Sequence, residues 1–311
     1  MPSRQDDLSL ARFWSPRYWP VWCLWLWLRS SVYLPFRWQI VIGKRFGRFL
    51  KLVLWESRRT ARRNLEICFP KLTNTERARL LDQHFEALGS SLAEMALAWF
   101  APIERLRTLV RVEGRENLER ANKEGNGVIL YAAHFTCLEI QVAMLEELSP
   151  GYCAMYRPQK NAMVDTMIRR GRHRAAKNLI PKNDVRALVR SLRNNATVVY
   201  LPDHIYVGSN SELLPFFGEP AVTNTATSKL ARISGATVLA YFSRRLADDS
   251  GYVVTIAPPL SNFPSDDLID DTRRLVAQLE NHVRIAPEQY LWTYRRFKGR
   301  PPTYSDIYRA D

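Results

Sequence analysis

The chain of 311 residues lacks the short motifs that would assign its chemistry directly. It contains neither a G-x-G-x-x-G pattern nor a P-loop, so nucleotide binding has no support. It has no H-E-x-x-H pattern, which leaves a zinc hydrolase without its ligands. Its four cysteines form no C-x-x-C pair, so neither a zinc framework nor a disulfide scaffold is expected. A reducing compartment is the simplest interpretation.

A long uncharged apolar run is also missing. Residues 18–28 are uncharged and include four tryptophans, but a membrane span needs about twenty residues. Extension to Gly43 admits Arg29 and Arg37. A tilted transmembrane helix with snorkelling arginines and an interfacial amphipathic anchor are both compatible with this segment. We therefore predict a membrane-anchoring helix in an N-terminal region of residues 1–65, followed by a second domain of residues 66–311.

Acidic residues are scarce in the first quarter of the chain. Residues 1–75 hold 14 Lys and Arg against 4 Asp and Glu, whereas the net charge of the whole chain is +14. Such a basic segment predicts an anionic partner, either a membrane or a nucleic acid. Tryptophans here are separated from the basic residues rather than interleaved with them, which favours the headgroup region of an anionic membrane over nucleic acid.

From residue 127 onward, β and α patterns alternate, which predicts an α/β fold with a mixed, mostly parallel sheet flanked by helices. A capping-box pattern at Thr73–Glu76 precedes a predicted amphipathic helix over 76–99. The predicted strands are 127–133, 152–156, 197–201, 236–242 and 252–257. The other predicted helices are 136–148, 161–176, 184–193, 223–234 and 267–285.

His134 ends the first strong strand pattern, and Glu139 follows five residues later. A histidine with a carboxylate partner can act as a general base. If a helix starts near Thr136, the ring could turn back toward Glu139, and the free N–H groups of the helix could bind an oxyanion. The spacing alone does not establish this role, and a structural histidine in a strand–helix turn is the simpler interpretation. Cys137 is better explained as a buried small residue than as a nucleophile.

Two further strand patterns end in polar residues. Arg157 and Lys160 follow the second, and Asp203 and His204 follow the third. Ligands gather at the carboxyl ends of strands in open α/β sheets, so these groups and His134 could share one pocket. Arg157 could hold a phosphate in a bidentate fork. The alternatives are a surface ion pair for Arg157, a turn-forming role for Asp203 and a structural hydrogen bond for His204.

Several sequence blocks resemble those of the late acyltransferases of lipid A biosynthesis, the lauroyl/myristoyl acyltransferase group within the lysophospholipid acyltransferase superfamily. The His-x4-Glu run at 134–139 is similar to the superfamily's His-x4-Asp/Glu signature. The resemblance extends from about residue 14 to residue 300. The other matching blocks lie at 63–70, 156–158, 202–204, 215–218, 230–236, 286–292 and 295–298.

This resemblance implies a fold similar to the glycerolipid acyltransferases and transfer of a fatty acyl chain, lauroyl in the first instance, from acyl carrier protein. The implied acceptor is a hydroxyl of a lipid A precursor, Kdo-lipid IV-A, at the cytoplasmic side of the inner membrane. His134 and Glu139 are then the catalytic pair, and Arg157, Lys160, Asp203 and His204 bind substrate. No metal, cofactor or nucleic acid is expected.

The chain departs from the resembled pattern at two places. Ile205 replaces an acid after Pro-Asp-His, and Gln159-Lys160 replaces a pair that usually contains asparagine. These differences concern contacts with the acceptor and the choice of chain length. Two other functions stay open at this point, a glycerolipid acyltransferase of the lysophosphatidate type and a non-catalytic adaptor at the membrane surface.

Overall fold

The structure is a computed structural model that describes residues 9–172, 178–182, 184–205 and 207–308. Within those residues, seven strands form one sheet in the order β1-β9-β8-β2-β5-β3-β4, and two form a hairpin, β6-β7. The strands are β1 (Val110–Glu113), β2 (Val128–Tyr131), β3 (Cys153–Tyr156), β4 (Asn178–Pro181), β5 (Thr197–Tyr200), β6 (Ser211–Phe216), β7 (Glu219–Asn224), β8 (Thr237–Arg245) and β9 (Tyr252–Ile256).

The sheet is mostly parallel. Strand β2 pairs in parallel with both β5 and β8, and β3 pairs in parallel with β4 and β5. The long strand β8 also pairs with β9, and this pairing is antiparallel. Strands β2, β5 and β3 are therefore neighbours that end at the same edge.

Helices precede the sheet and cover it. The chain begins with α1 (Trp19–Ser31), α2 (Phe36–Val53), α3 (Trp55–Cys68) and α4 (Asn74–Phe100). The remaining helices are α5 (Ile103–Leu109), α6 (Arg115–Glu124), α7 (Leu138–Leu148), α8 (Ala162–Arg172), α9 (Val185–Arg193), α10 (Ala226–Ser234) and α11 (Leu268–Ile285).

Two apolar cores lie on opposite faces of the sheet, because successive side chains of a strand point to opposite sides. In β2, Val128 and Leu130 belong to one core, which includes residues of α6 and α7. Ile129 and Tyr131 belong to the other, which includes residues of α4, α9 and α11. Burial on both faces explains why β2 reads as a continuous apolar run.

The main elements confirm the α/β prediction. All five predicted strands and all six predicted helices are present, with shifts of a few residues at their ends. Residues 173–176 of the helix predicted over 161–176 lie outside the described residues. The capping box is also confirmed, because Thr73 accepts from Glu76 N while Glu76 accepts from Thr73 N. Strands β1, β4, β6 and β7 have no counterpart among the predicted strands. The sequence predicts a helix for all of 223–234, but the first residues of that range belong to β7.

The N-terminal region forms helices, but a transmembrane helix is not present among the described residues. Across those residues, each helix is either too short or too polar to cross a bilayer. The apolar segment around 18–28 lies in α1, which has 13 residues. Helix α3 runs through the predicted domain boundary at residue 65.

Helix α2 packs closely on α4 through glycines. A Cβ added at Gly47 would lie 1.9 Å from the backbone oxygen of Phe85, and one added at Gly89 would lie 2.1 Å from that of Gly43. The two backbones approach so closely that no side chain fits between them. One face of α2 is thereby buried against the main body of the protein, and its other face is left to the surface.

Candidate active site

The register of two neighbouring strands places His134 beside Asp203. In the parallel pair β2–β5, Tyr131 is aligned with Tyr200, and Ala132 N donates to Tyr200 O at 2.9 Å. His134 and Asp203 each follow by three residues. The equal offset from an aligned pair brings the two residues together at the carboxyl edge of the sheet.

The Asp203 carboxylate binds His134 through two hydrogen bonds. Nδ1 of the His134 ring lies 2.7 Å from Oδ1, and the His134 backbone N–H donates to Oδ2 at 3.0 Å. The hydroxyl of Tyr290 also donates to Oδ2, at 3.4 Å. The Asp203 side chain is 1% exposed, whereas the His134 side chain is 28% exposed. Asp203 thus holds Nδ1 from the protein interior, and Nε2 is the ring nitrogen available to a substrate.

Electrostatics keep Asp203 ionised in spite of its burial. Burial acts to raise the pKa of Asp203, but the charge and hydrogen bonds of His134, together with His204, outweigh it. The pKa of Asp203 therefore falls well below its ordinary value. An ionised carboxylate fixes a proton on Nδ1, so the unprotonated Nε2 can accept one. The pair has the arrangement of a general base and its orienting partner.

Glu139 does not bind His134, and the prediction of that pairing is wrong in its geometry. The Glu139 carboxylate accepts hydrogen bonds from Nε of Arg172 at 3.2 and 3.3 Å and from Nε1 of Trp99 at 2.9 Å. It also contacts Nη2 of Arg172. Burial acts to raise the pKa of Glu139, but Arg172 and Trp99 lower it below its ordinary value. Glu139 is thus an ionised member of a separate ion pair.

The backbone after His134 explains this difference. Phe135 forms an antiparallel bridge with Tyr290, and Leu291 N donates to His134 O at 3.0 Å. This extended segment keeps the His134 ring from turning toward α7. Thr136 N and Leu138 N also donate to backbone carbonyls, at 2.8 and 3.1 Å. These two amides are therefore not free to bind an oxyanion.

His204 lies between two aromatic rings. Its ring centroid is 3.6 Å from that of His134, with 6° between the planes, and 3.8 Å from that of Tyr294, with 10° between the planes. Burial lowers the pKa of His204 to about 4, so the ring is neutral at pH 7. Nε2 of His204 is buried and has no hydrogen-bond partner among the described residues.

Arg157 and Lys160 lie in the exposed segment that follows β3. Strand β3 is aligned with β5 through Ala154 and Val199, so this segment begins at the same edge of the sheet as Asp203. Both side chains are exposed, which suits contact with a ligand that approaches from outside.

His134, Asp203 and His204 have ligand atoms within 4.8 Å of one another and are all metal-ligating residue types. Their arrangement does not favour a metal ion. The two imidazole planes are nearly parallel and stacked, so the in-plane lone pairs of their nitrogens do not converge on one point. Asp203 already accepts hydrogen bonds on both oxygens.

Three residues of this region, Tyr294, Trp99 and Arg172, have contacts that the sequence pattern does not predict. Tyr294 lies far along the chain in a segment without a strand pattern, and only the tertiary structure brings it to His204. The pattern predicts a core residue of α4 at Trp99 and a basic helix face that includes Arg172. A run of arginines at the end of α8 is the one available signal, but it does not identify a partner. In the sequence, further basic residues follow this run at His173, Arg174 and Lys177, which lie outside the described residues.

Comparisons with known proteins match nearly the whole chain. The sequence model described as bacterial lipid A biosynthesis acyltransferase matches residues 9–299. The lipid A biosynthesis palmitoleoyltransferase of Escherichia coli (strain K12) is 36% identical over 301 residues, which are 95% of this chain and 96% of that protein. The lauroyltransferase of the same organism is 34% identical over 291 residues, which are 92% of this chain and 94% of that protein.

Among solved structures, the chain is similar to the crystal structure of the 1-acyl-sn-glycerophosphate (LPA) acyltransferase, PlsC, from Thermotoga maritima. The match covers 78% of this chain and 94% of that chain, with a TM-score of 0.39 and 14% sequence identity. The functional assignment rests instead on the sequence matches, which span nearly the whole chain. The chain belongs to the bacterial lipid A biosynthesis acyltransferase family and is an acyltransferase.

Proposed function

We propose that the protein transfers a fatty acyl chain, lauroyl in the first instance, from acyl carrier protein to a hydroxyl of a lipid A precursor such as Kdo-lipid IV-A. The observation that supports this chemistry best is the His134–Asp203 pair, a partly exposed imidazole held by a buried, ionised carboxylate. The similarity to a palmitoleoyltransferase, at 36% identity, makes palmitoleoyl the second candidate chain.

In the proposed reaction, Nε2 of His134 removes the proton from the acceptor hydroxyl. The resulting alkoxide oxygen attacks the thioester carbonyl of the donor and forms a tetrahedral intermediate. The carbon–sulfur bond then breaks, an ester remains, and the departing thiolate takes the proton back from Nε2. Asp203 stabilises the imidazolium formed in between. General base catalysis of this kind contributes about 10²–10⁴-fold to a rate.

Arg157 and Lys160 are proposed to bind anionic groups at this edge of the sheet. Because the Thr136 and Leu138 amides are engaged, a cation is a candidate to stabilise the oxyanion, and Arg157 and Lys160 are exposed cations after β3. A guanidinium can also hold a phosphate of the acceptor in a bidentate fork. An acidic donor protein would be attracted by the same positive charges.

Purified protein offered a panel of acyl carrier proteins loaded with different chains is expected to add one chain to the acceptor. Mass spectrometry of the lipid product gives the chain from the mass increment.

An acceptor without phosphates should have a higher KM, because Arg157 and Lys160 lose their ligand. His134→Ala should abolish most of the transfer. Full activity of that variant would contradict the base assignment, and an unchanged KM would contradict the phosphate contacts.

We also propose that the N-terminal helices bind the surface of an anionic membrane, with the catalytic domain at the cytoplasmic face of the inner membrane. The support is an exposed apolar surface on α2 beside basic residues. Trp38 is 60% exposed, Phe49 55% and Leu52 70%, while the opposite face of α2 is buried on α4. Exposed aromatic and apolar side chains with nearby cations suit an interfacial anchor. Protease accessibility in inverted membrane vesicles compared with spheroplasts tests the side.

Replacing Trp38, Phe49 and Leu52 together by serine should weaken binding to vesicles of phosphatidylcholine and phosphatidylglycerol by about 10²-fold or more. Full burial of an apolar side chain contributes about 1.5–3 kcal/mol, and somewhat over half of each of these side chains is exposed and available to the membrane. Vesicle sedimentation measures the binding. The control replaces Ile233 and Ile285, which are 55% and 62% exposed elsewhere on the surface. Equal loss in the control, or none in the triple variant, would contradict an anchor on α2.

A further inference from the structure

We propose that Tyr294 is a positioning residue for the catalytic base and acts on His134 through the ring of His204. This inference rests on the proposed function, in which His134 removes the proton of the acceptor hydroxyl. Under this inference, His204 has a positioning role instead of the predicted substrate-binding role. Tyr294 gains a role that the sequence pattern did not predict.

The three rings form a stack that we call the ring ladder, His134–His204–Tyr294. Successive centroids are 3.6 and 3.8 Å apart, and the planes differ by 6° and 10°. Asp203 fixes the direction of Nδ1 by a hydrogen bond in the plane of the His134 ring. The ladder holds the face of the same ring. A hydrogen bond and a flat contact together restrict both side-chain torsions and so fix the direction of Nε2.

Tyr294 is itself well anchored. Its hydroxyl accepts a hydrogen bond from Ile205 N at 2.9 Å, and that amide belongs to the residue after His204. The buried side chain of Asn64 donates to Tyr294 O at 2.8 Å and to Trp292 O at 2.7 Å. The end of the ladder is therefore attached to α3 and to the loop that holds His204.

The protonation state of His204 suits a stacking role. A neutral imidazole presents a π face to His134, and this face attracts the positive charge that His134 acquires with the substrate's proton. A protonated His204 would repel that charge. Burial favours the neutral ring by lowering its pKa to about 4, against the opposing effect of Asp203. Since Nε2 of His204 is shielded from solvent, that nitrogen is poorly placed to bind a substrate.

The test compares Tyr294→Leu, which removes the ring, with Tyr294→Phe, which keeps it. Tyr294→Leu should lower kcat by about 10²-fold, the effect of a misplaced catalytic group, with little change in either KM. Tyr294→Phe should restore kcat to within about tenfold of the original protein, because the stacked ring remains.

Tyr308→Leu is the matched control. The Tyr308 hydroxyl, like that of Tyr294, accepts from a backbone amide, that of Phe297 at 3.0 Å, and it donates to Oδ1 of Asn64. Its ring is not part of the ladder. The Tyr308→Leu variant should keep the original kcat. Its melting temperature shows how much stability the protein loses when a tyrosine is removed in this region. If the melting temperature of Tyr294→Leu is no lower than that of Tyr308→Leu, unfolding does not explain its loss of activity.

Full activity of Tyr294→Leu would overturn the ladder, as would a Phe variant as impaired as Leu, or an equal loss in Tyr308→Leu. His134→Ala, measured in the same assay, separates the two hypotheses. If that variant is active, the base assignment fails and the ladder fails with it. If it is inactive while Tyr294→Leu is fully active, only the ladder fails.

Discussion

Asp203→Asn is expected to lower kcat by about 10³–10⁴-fold, with little change in KM, because it reverses the tautomer of His134. His134 N and the Tyr290 hydroxyl both donate to Oδ2 of Asp203. In the variant, the single amide oxygen must occupy this position to accept them. The amide NH₂ then faces Nδ1 of His134, which must become an acceptor. The ring proton moves to Nε2, where the base is needed.

The measurement is steady-state kinetics with the acyl donor and acceptor, together with a thermal melt. Asp271→Asn provides a control at an equally buried aspartate, which accepts from Ser265 N at 2.9 Å and from Ser228, outside the site. This control should lose some stability, but folded protein should keep its kcat. Retention of more than about a tenth of the activity by Asp203→Asn would show that Asp203 does not orient the base.

The sequence was a good guide to the elements and a poor guide to the contacts between them. Periodicity predicted β2 and β5 because their buried residues are mostly apolar. It did not predict β6 and β7, because proline and polar residues interrupt the apolar residues of this hairpin and leave no long apolar run. The pairing of His134 with Asp203, 69 residues away, depends on strand order and register, which periodicity does not encode.

Proximity in the sequence misled the choice of partner for His134. Glu139 lies only five residues away, but it is in the first turn of α7, while Phe135 bridges to Tyr290 in an extended conformation. The backbone therefore separates the two side chains. Arg172 of α8 and Trp99 of α4 bind Glu139 instead. The role of Glu139 therefore depends on contacts between residues that are distant in the sequence. Placement of several polar groups at strand ends was predictable, because parallel strands end at one edge.

Breaking the Glu139–Arg172 pair is expected to destabilise the protein by about 3 kcal/mol, the lower part of the range for buried pairs, since neither side chain is completely buried. Glu139→Gln leaves the Arg172 guanidinium without a counter-charge. Arg172→Met leaves the Glu139 carboxylate without a counter-charge. Chemical denaturation measures each loss. The pair's contribution is present above the ordinary glutamate pKa of about 4.3 and is lost as the pH falls through the lowered pKa of the folded state.

The double variant Glu139→Gln/Arg172→Met should recover part of that loss, because no unpaired charge remains and the introduced amide oxygen can still accept from Trp99. A coupling free energy of about 1–3 kcal/mol is expected from the four proteins of the cycle. Arg107→Met is a control for removing an arginine, since its pair with Glu147 is more exposed, is screened by solvent and should contribute much less to stability. A coupling no larger than experimental error would mean that the pair does not hold α7 to α8.

The same cycle distinguishes the two roles of Glu139 when kcat is measured alongside stability. If Glu139 acted directly on His134, Glu139→Gln would lower kcat in folded protein, Arg172→Met would lower it less, and the double variant would be as impaired as Glu139→Gln. The geometry predicts instead that both single variants lower kcat to a similar degree, since either one frees the start of α7, four residues after His134. The double variant should then regain activity together with stability, because a neutral pair can still pack at the Trp99 contact that joins α4, α7 and α8.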